Sequence, residues 1–279
     1  MPRLSVALRP RSAPRLSLLC LSLLAPWLAG GCGEPPLHPA QPSEGAPHFT
    51  VMSYNIELGA IDGPRTLAEI GDIAPDIACL QEVTPDSEII LRDRYAALYP
   101  YQLFQSKGGA GGLAVLSRFP LTDGGLDLAP EDWHPAWHVQ VASPAGPLQL
   151  LNIHLRSLFS ADPGPIQSYL NTDEDHLTEM RVFSGECASG MSSIVLGDFN
   201  EGVDGPAIQF LEDAGFLNLL PAFRPGQPTW HYRSVGGQFG ETLDHILIDG
   251  SLRPLNAWVE PHGQSDHFPV IAHLEPRTW

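Results

Sequence analysis

Ile194 to Asn200 reads IVLGDFN: three apolar residues run into a glycine, and an acid and an amide follow two positions apart. In extended chain such a pair projects to one side. The glycine before it permits a tight approach or a turn. The stretch therefore reads as a buried strand that ends by presenting Asp198 and Asn200 together. Taken alone, GDFN is equally a turn whose polar side chains bond local backbone. The choice depends on whether other strands of the chain end in the same way.

They do. Asn55 closes VMSYN, Glu82 closes PDIACLQE, His154 closes LQLLNIH, Asp244 lies in TLDHILI, and Asp266 with His267 opens the last strand in SDHFPV. Strand ends are where a rigid scaffold presents reactive groups. A carboxylate such as Glu82 is the hard oxygen donor that Mg2+ takes, although a lone strand-end acid is more often salt-bridged at a rim. A lone histidine such as His154 is ordinarily a satisfied core residue. Asp244 sits in an apolar strand, where a buried carboxylate needs a partner. His267 is the expected partner, because an aspartate on the far nitrogen fixes an imidazole's tautomer and orientation and raises its pKa. His245 should face the opposite way and reads as structural.

Strand-like runs recur at His48–Ile56, Asp76–Val83, Gly112–Leu116, Trp137–Ala142, Leu148–Leu155, Ser193–Leu196, Thr242–Ile248, Leu255–Val259 and Phe268–Leu274. Several are continuous and β-branched, as expected of strands covered on both faces. Helical spacing appears at Pro64–Ile73, at Thr172–Cys187 behind the acidic start Asp173–Asp175, and at Ala207–Ala214. Strands outnumber helices and alternate with them irregularly. That predicts an α/β protein of two packed sheets with helices outside, not a doubly wound single sheet. Residues 48–276 form one domain, of a size that needs no disulfide framework.

The ordered series SYNIE, LQEV, NIHL, GDFN, LDHILI and SDHFPV resembles the endonuclease/exonuclease/phosphatase (DNase I-like) superfamily, over about Phe49 to Leu274. Each motif is weak; the ordered set is specific. The resemblance implies a four-layer α/β/β/α sandwich of two mixed sheets with the active site at one end. It implies a metal-dependent phosphoric ester hydrolase using Mg2+ or Mn2+, with Asn55, Glu82 and Asp266 at the metal. It implies that Asp198 orients or deprotonates the attacking water, that His154 and Asn200 contact the phosphate, and that His267, supported by Asp244, stabilises or protonates the transition state.

The chain carries 32 acids against 15 bases, and four of the bases lie in an acid-free extension at Arg3, Arg9, Arg11 and Arg15. Such a surface repels phosphate backbones and argues against a stable nucleic-acid partner. Met1–Gly31 has the basic, apolar and small-residue order of a secretory signal, and the apolar Leu16–Leu28 is short for a membrane span. Leu28 to Cys32 (LAGGC) resembles a bacterial lipobox, which makes Cys32 a lipidation site and predicts an exported, membrane-anchored, monomeric lipoprotein; ordinary cleavage would leave it periplasmic or secreted. Residues 32–47 are Pro-rich without hydrophobic period and read as a flexible tether. Cys79, in IACL, reads as a buried thiol, with a bridge to Cys187 as the minor alternative.

Arg156–Glu174 reads as an irregular, substrate-facing loop carrying Phe159 and Tyr169. Asp132–Trp137 and Thr229–Tyr232 add aromatics and histidines for which packing is the default. Three functions fit. The first is hydrolysis of a lipid head group or small organic phosphate outside the cytoplasm, favoured by export and acidity. The second is a secreted nuclease. The third is an inactive surface-binding module, which the complete residue set disfavours.

Overall fold

The computed structural model describes residues 35–58, 64–129, 134–157, 165–186, 190–234 and 237–277. The chain forms two units, Met1–Pro35 and Pro36–Trp279, and all the described residues except Pro35 belong to the second. The segment read as a secretory signal, Cys32, Phe159 and Cys187 lie outside the described residues. Cys79 is buried with a free thiol, and burial raises its pKa.

Period-2 alternation with both faces apolar builds the architecture. In β1 (Phe49–Asn55), Phe49 and Val51 face one way, while Met52 and Tyr54 face the other. The same division holds in β2 (Ile77–Gln81) and β4 (Leu113–Ser117). With β3 (Tyr101–Gln105), β13 (Leu252–Val259) and β14 (Val270–Pro276) they form a six-stranded sheet ordered β13-β14-β1-β2-β4-β3. The second six-stranded sheet runs β5 (Leu121–Asp127), β6 (Ala136–Ser143), β7 (Gly146–His154), β8 (Ser192–Asp198), β12 (Asp244–Ile248), β9 (Leu217–Asn218). Strands β1 and β2 are parallel, as are β7 and β8; the other pairings are antiparallel.

Three apolar layers follow. Between the sheets, Val51, Cys79 and Val115 meet Val139, Leu150 and Leu196. Outside the first sheet, α1 (Pro64–Ile73) and α2 (Pro85–Tyr95) bring Leu67, Ile70, Leu91 and Tyr95 onto Met52 and Leu80. Outside the second, α3 (Pro165–Phe183) and α4 (Pro206–Asp213) bring Met180, Phe183, Ile208 and Leu211 onto Ile153 and Val195. The result is the expected α/β/β/α sandwich. A short helix α5 (Leu219–Phe223) packs into the layer between the sheets, and β10 (Trp230–Ser234) with β11 (Gly237–Glu241) makes a separate hairpin. Among the described residues no helix is long and apolar enough to cross a membrane.

The structure corrects three expectations. Helix α3 begins at Pro165, so much of the stretch read as a loop from Arg156 to Glu174 is helix, and Tyr169 lies on it. Proline at a first helical position outweighs the acidic run at Asp173–Asp175 as a start signal. The tether is docked from Leu37 onward. The Leu37 and Ala40 amides donate to the Ala222 and Leu255 carbonyls at 2.7 and 2.8 Å, and Ser43 bonds the Glu275 carboxylate through its amide and its hydroxyl. Helix α2 has no counterpart in the periodicity, because Ile89 and Ile90 point to solvent while Ser87, Leu91 and Tyr95 are buried. Its signal is local. Thr84 and Ser87 form a capping box ahead of Pro85, and Arg92 and Arg94 lie in the last turn.

Candidate active site

Asn55, His154, Asp198 and Asp244 extend the inner-facing period of their strands by one more step. In β7 the series Leu148, Leu150, Asn152 ends at His154, and in β8 Ile194 and Leu196 lead to Asp198. Strand β12 runs the other way, so its inner series Ile248, Ile246 ends at Asp244. Register brings them together, since Asp198 lies opposite His154 on one side and Asp244 on the other. One step deeper, the polar residues still pair across the sheets. Gln81 Nε2 donates to Asn152 Oδ1 at 2.8 Å, and both side chains are fully buried. The apolar core therefore ends in a polar floor at one rim of the sandwich.

Gly197 makes that rim possible. Its φ is +150°, and a Cβ there would lie 1.9 Å from the Ile153 carbonyl oxygen. Only glycine fits, and it lets Asp198 approach β7 closely.

Asp198 is the centre of the arrangement. Its Oδ1 accepts the Asn200 amide at 2.9 Å, and its Oδ2 accepts Asn55 Nδ2 at 3.0 Å. The same Oδ2 lies 3.5 Å from His154 Nε2 and 3.5 Å from His267 Nε2. Burial alone would raise its pKa, but the two imidazoles and the amide donors hold the carboxyl below its usual range. His267 Nδ1 bonds Asp244 Oδ2 at 2.8 Å, which is the pairing the sequence suggested. Burial disfavours the imidazolium, yet Asp244 and Asp198 on its two sides push its pKa up to about 10. The Thr229 hydroxyl accepts the Asp244 amide at 2.9 Å and so ties β12 to the hairpin. Asp198, Asp244 and His267 lie close enough to hold a metal ion. Their atoms are already paired through imidazole N–H groups, so we read them as a proton-bearing triad.

A second cluster is purely acidic. Glu57, Glu82 and Asp266 line the same cleft, of about 480 Å3. Asn55, expected at the metal, lies behind them at 1% exposure. It donates through Nδ2 to Glu82 Oε1 at 3.1 Å and accepts the Glu57 amide at 3.0 Å, so it orients the acids. Glu57 and Glu82 both have left-handed backbone, with φ of 53° and 62°, which turns each side chain off its strand. Burial first, then the Asp266 and Glu82 carboxylates, raises the Glu57 pKa. Acids gathered with no lysine or arginine among the described lining residues fit a hard divalent cation, which prefers oxygen donors.

Glu57 was not singled out from the sequence. Its signal is its position two residues after Asn55, at the end of the motif SYNIE. His134 was only one member of an aromatic cluster. Its ring packs on His154 at 4.3 Å on the cleft wall, and burial, with His154 beside it, lowers its pKa to about 3. Trp137, from the same cluster, is core and donates to Asp123 at 2.9 Å. Trp230 lines the cleft and donates to Asp266 Oδ2 at 3.0 Å, whereas Tyr232 is exposed. Asn200 Nδ2 spends one hydrogen on the Leu155 carbonyl at 2.9 Å, which leaves the second for a ligand. His154 Nδ1 faces the Ala110 carbonyl at 3.0 Å and therefore donates to it, so Nε2 points toward Asp198. His245 faces outward as expected, bonded to Asn218 and to the Glu201 carbonyl. A larger cavity of about 580 Å3, beside Glu69, Asp72 and Glu260, contains none of these strand-end residues.

Comparison with known proteins follows the same lines. The sequence profile described as the Endonuclease/Exonuclease/phosphatase family matches residues 52–267. No curated protein matches the chain. Among solved structures, an endonuclease/exonuclease/phosphatase from Beutenbergia cavernae superposes with a TM-score of 0.63 at 18% identity, covering 82% of this chain and 72% of its own. TDP2 from D. rerio, solved with a single-strand DNA product, gives 0.63 at 17% identity over 82% of this chain and 99% of its own. ANGEL2, a 2',3'-cyclic phosphatase solved with adenosine-2',3'-vanadate, gives 0.58 at 18% identity over 82% and 96%. At these identities the likeness is one of fold.

Proposed function

Because the chain belongs to the endonuclease/exonuclease/phosphatase family, whose members hydrolyse phosphoesters, we propose that its cleft cleaves a phosphodiester or phosphomonoester by in-line attack of water. The observation that carries this reading is geometric: a buried His267 bonded to Asp244 through Nδ1 and facing Asp198 through Nε2, beside an acidic cluster on the same rim.

Glu57, Glu82 and Asp266 would hold Mg2+ or Mn2+, with Asn55 orienting the first two from behind. When bound, such a cation polarises a phosphoryl oxygen and neutralises charge that develops there. Asp198 holds the attacking water in line through its carboxylate. The free hydrogen of Asn200 contacts a phosphoryl oxygen, with His154 beside it, and a preorganised donor of this kind costs no reorganisation during reaction. His267 presents Nε2–H to the phosphoryl group, and Asp244 fixes its orientation from the far side.

For the substrate we favour a lipid head group or small organic phosphate. Gripping a nucleic-acid strand takes several Lys or Arg contacts to phosphates. The described lining of the cleft has none, and Lys107, the only lysine, lines a neighbouring cavity. With Mg2+ present, the protein should hydrolyse sphingomyelin vesicles, a phosphoinositide or a bis-aryl phosphodiester faster than double-stranded DNA. Preferential DNA cleavage would show a nuclease and overturn the substrate assignment. We further propose, from the order of residues 1–32, that this happens outside the cytoplasm on a lipid-anchored protein. Cys32→Ser should then move the protein from the membrane to the soluble fraction, and a soluble wild type contradicts the anchor.

A further inference from the structure

One buried ionic cluster takes no part in the chemistry above. His176, on α3, is 1% exposed and has an acceptor at each ring nitrogen. Nε2 lies 2.7 Å from the Arg156 carbonyl oxygen, and Nδ1 lies 3.1 Å from Glu201 Oε2. A carbonyl only accepts, so Nε2 donates to it; Nδ1 faces a carboxylate, and an ionised carboxylate also only accepts, an environment that suits donors at both nitrogens, the imidazolium form.

The two partners are placed informatively. Arg156 follows His154 by two residues, and Glu201 directly follows Asn200. Glu201 is fixed in turn. Its Oε1 accepts the Ile208 amide at 2.8 Å, which caps α4 where the cap residue Gly205 has no side chain to do so. Its carbonyl accepts His245 Nε2 at 3.0 Å.

We propose that His176 is a positioning residue for phosphoester hydrolysis, clamping the chain beyond His154 to the residue beyond Asn200 and so setting the distance between those two side chains. The inference rests on the hydrolytic reading of the cleft. Four charged groups surround the clamp. Glu201 comes from the turn after β8 and Arg156 from the turn after β7. Glu179 and Asp175 come from α3 itself, Glu179 accepting the Arg156 amide at 3.4 Å and Asp175 pairing with the Arg156 guanidinium. Burial opposes charge on His176, but the bonds to Glu201 and to the Arg156 carbonyl, with Glu201 and Glu179 nearby, raise its pKa.

The test combines kinetics with a spectroscopic readout. His176→Ala in the Mg2+-loaded protein should lower kcat on a bis-aryl phosphodiester roughly 10- to 100-fold, the scale of a small misplacement of reacting groups, with little change in KM. His176→Arg, which keeps a cation with several donors, should recover most of that loss. Wild-type kcat in His176→Ala, or equal loss in the alanine and arginine variants, overturns the clamp. Nitrogen-15 spectra of histidine-labelled wild type should show both His176 nitrogens protonated at neutral pH, and a neutral ring overturns the clamp even where neither variant folds. A wild type inert toward every ester with metal present would defeat the hydrolytic reading and with it the kinetic role, while a doubly protonated ring would then still be seen.

Discussion

Replacing His267 with glutamine should slow hydrolysis by about a thousandfold, within the 100- to 10,000-fold range for losing one general acid or base. The size follows from what surrounds the ring. Asp244 and Asp198 flank its two nitrogens at 2.8 and 3.5 Å and hold a proton on the side that faces the cleft. Glutamine keeps a donor for one carboxylate but carries neither charge nor a transferable proton. It is the better probe than alanine, because glutamine keeps a donor on the fully buried Asp244, whereas alanine leaves that carboxylate with neither cation nor donor, a change on the order of 3–5 kcal/mol in stability. Single-turnover hydrolysis by a variant with a wild-type melting curve is the measurement. A rate within tenfold of wild type would remove His267 from the mechanism.

Asp198→Asn should cost at least as much and should also lower the melting temperature. Both oxygens of Asp198 face donors: the Asn200 amide, Asn55 Nδ2 and His267 Nε2. An asparagine in that position must turn its own NH2 group toward a donor, so one bond is lost and two positive ends meet. The acceptor for the attacking water disappears, and the anion that helps keep His267 protonated goes with it. These losses act on one unit, so they should not add to those of His267→Gln. The double variant should be little slower than the worse single variant. Additive losses would separate the two residues into independent roles, against the geometry.

The strand-end residues were legible because two simple rules converge on them. Alternation says which way a side chain faces, and burial says that a lone charge needs a partner. Together they identify Asp198 as facing inward, Asp244 with His267 as a pair, and His245 as facing the other way; Asn200 shares the cleft through a left-handed turn just past β8, not through alternation. Glu57 was not singled out although it closes the motif SYNIE, because it lies past the end of β1, in a left-handed turn. Asn55 was read at the metal. Its strand position is right; its Nδ2 holds Glu82 and Asp198, and its Oδ1 accepts the Glu57 amide. Helix α3 starts earlier than the acidic run at Asp173 suggested, and α2 shows its two isoleucines to solvent. Docking of the stretch from Leu37 relies on backbone bonds and on Ser43, none of which need a hydrophobic period. His176 fell on the stretch read as helix, but its clamp joins turns after β7 and β8 that only the folded chain brings together.

The most direct test of the account is the metal dependence of turnover. The purified protein, stripped with a chelator and dialysed, should leave a bis-aryl phosphodiester intact. Adding Mg2+ or Mn2+ back should restore hydrolysis with saturable dependence on the ion. Full turnover by the stripped protein would contradict a site in which Glu57, Glu82 and Asp266 hold the cation while Asp198 and His267 act on water and phosphate.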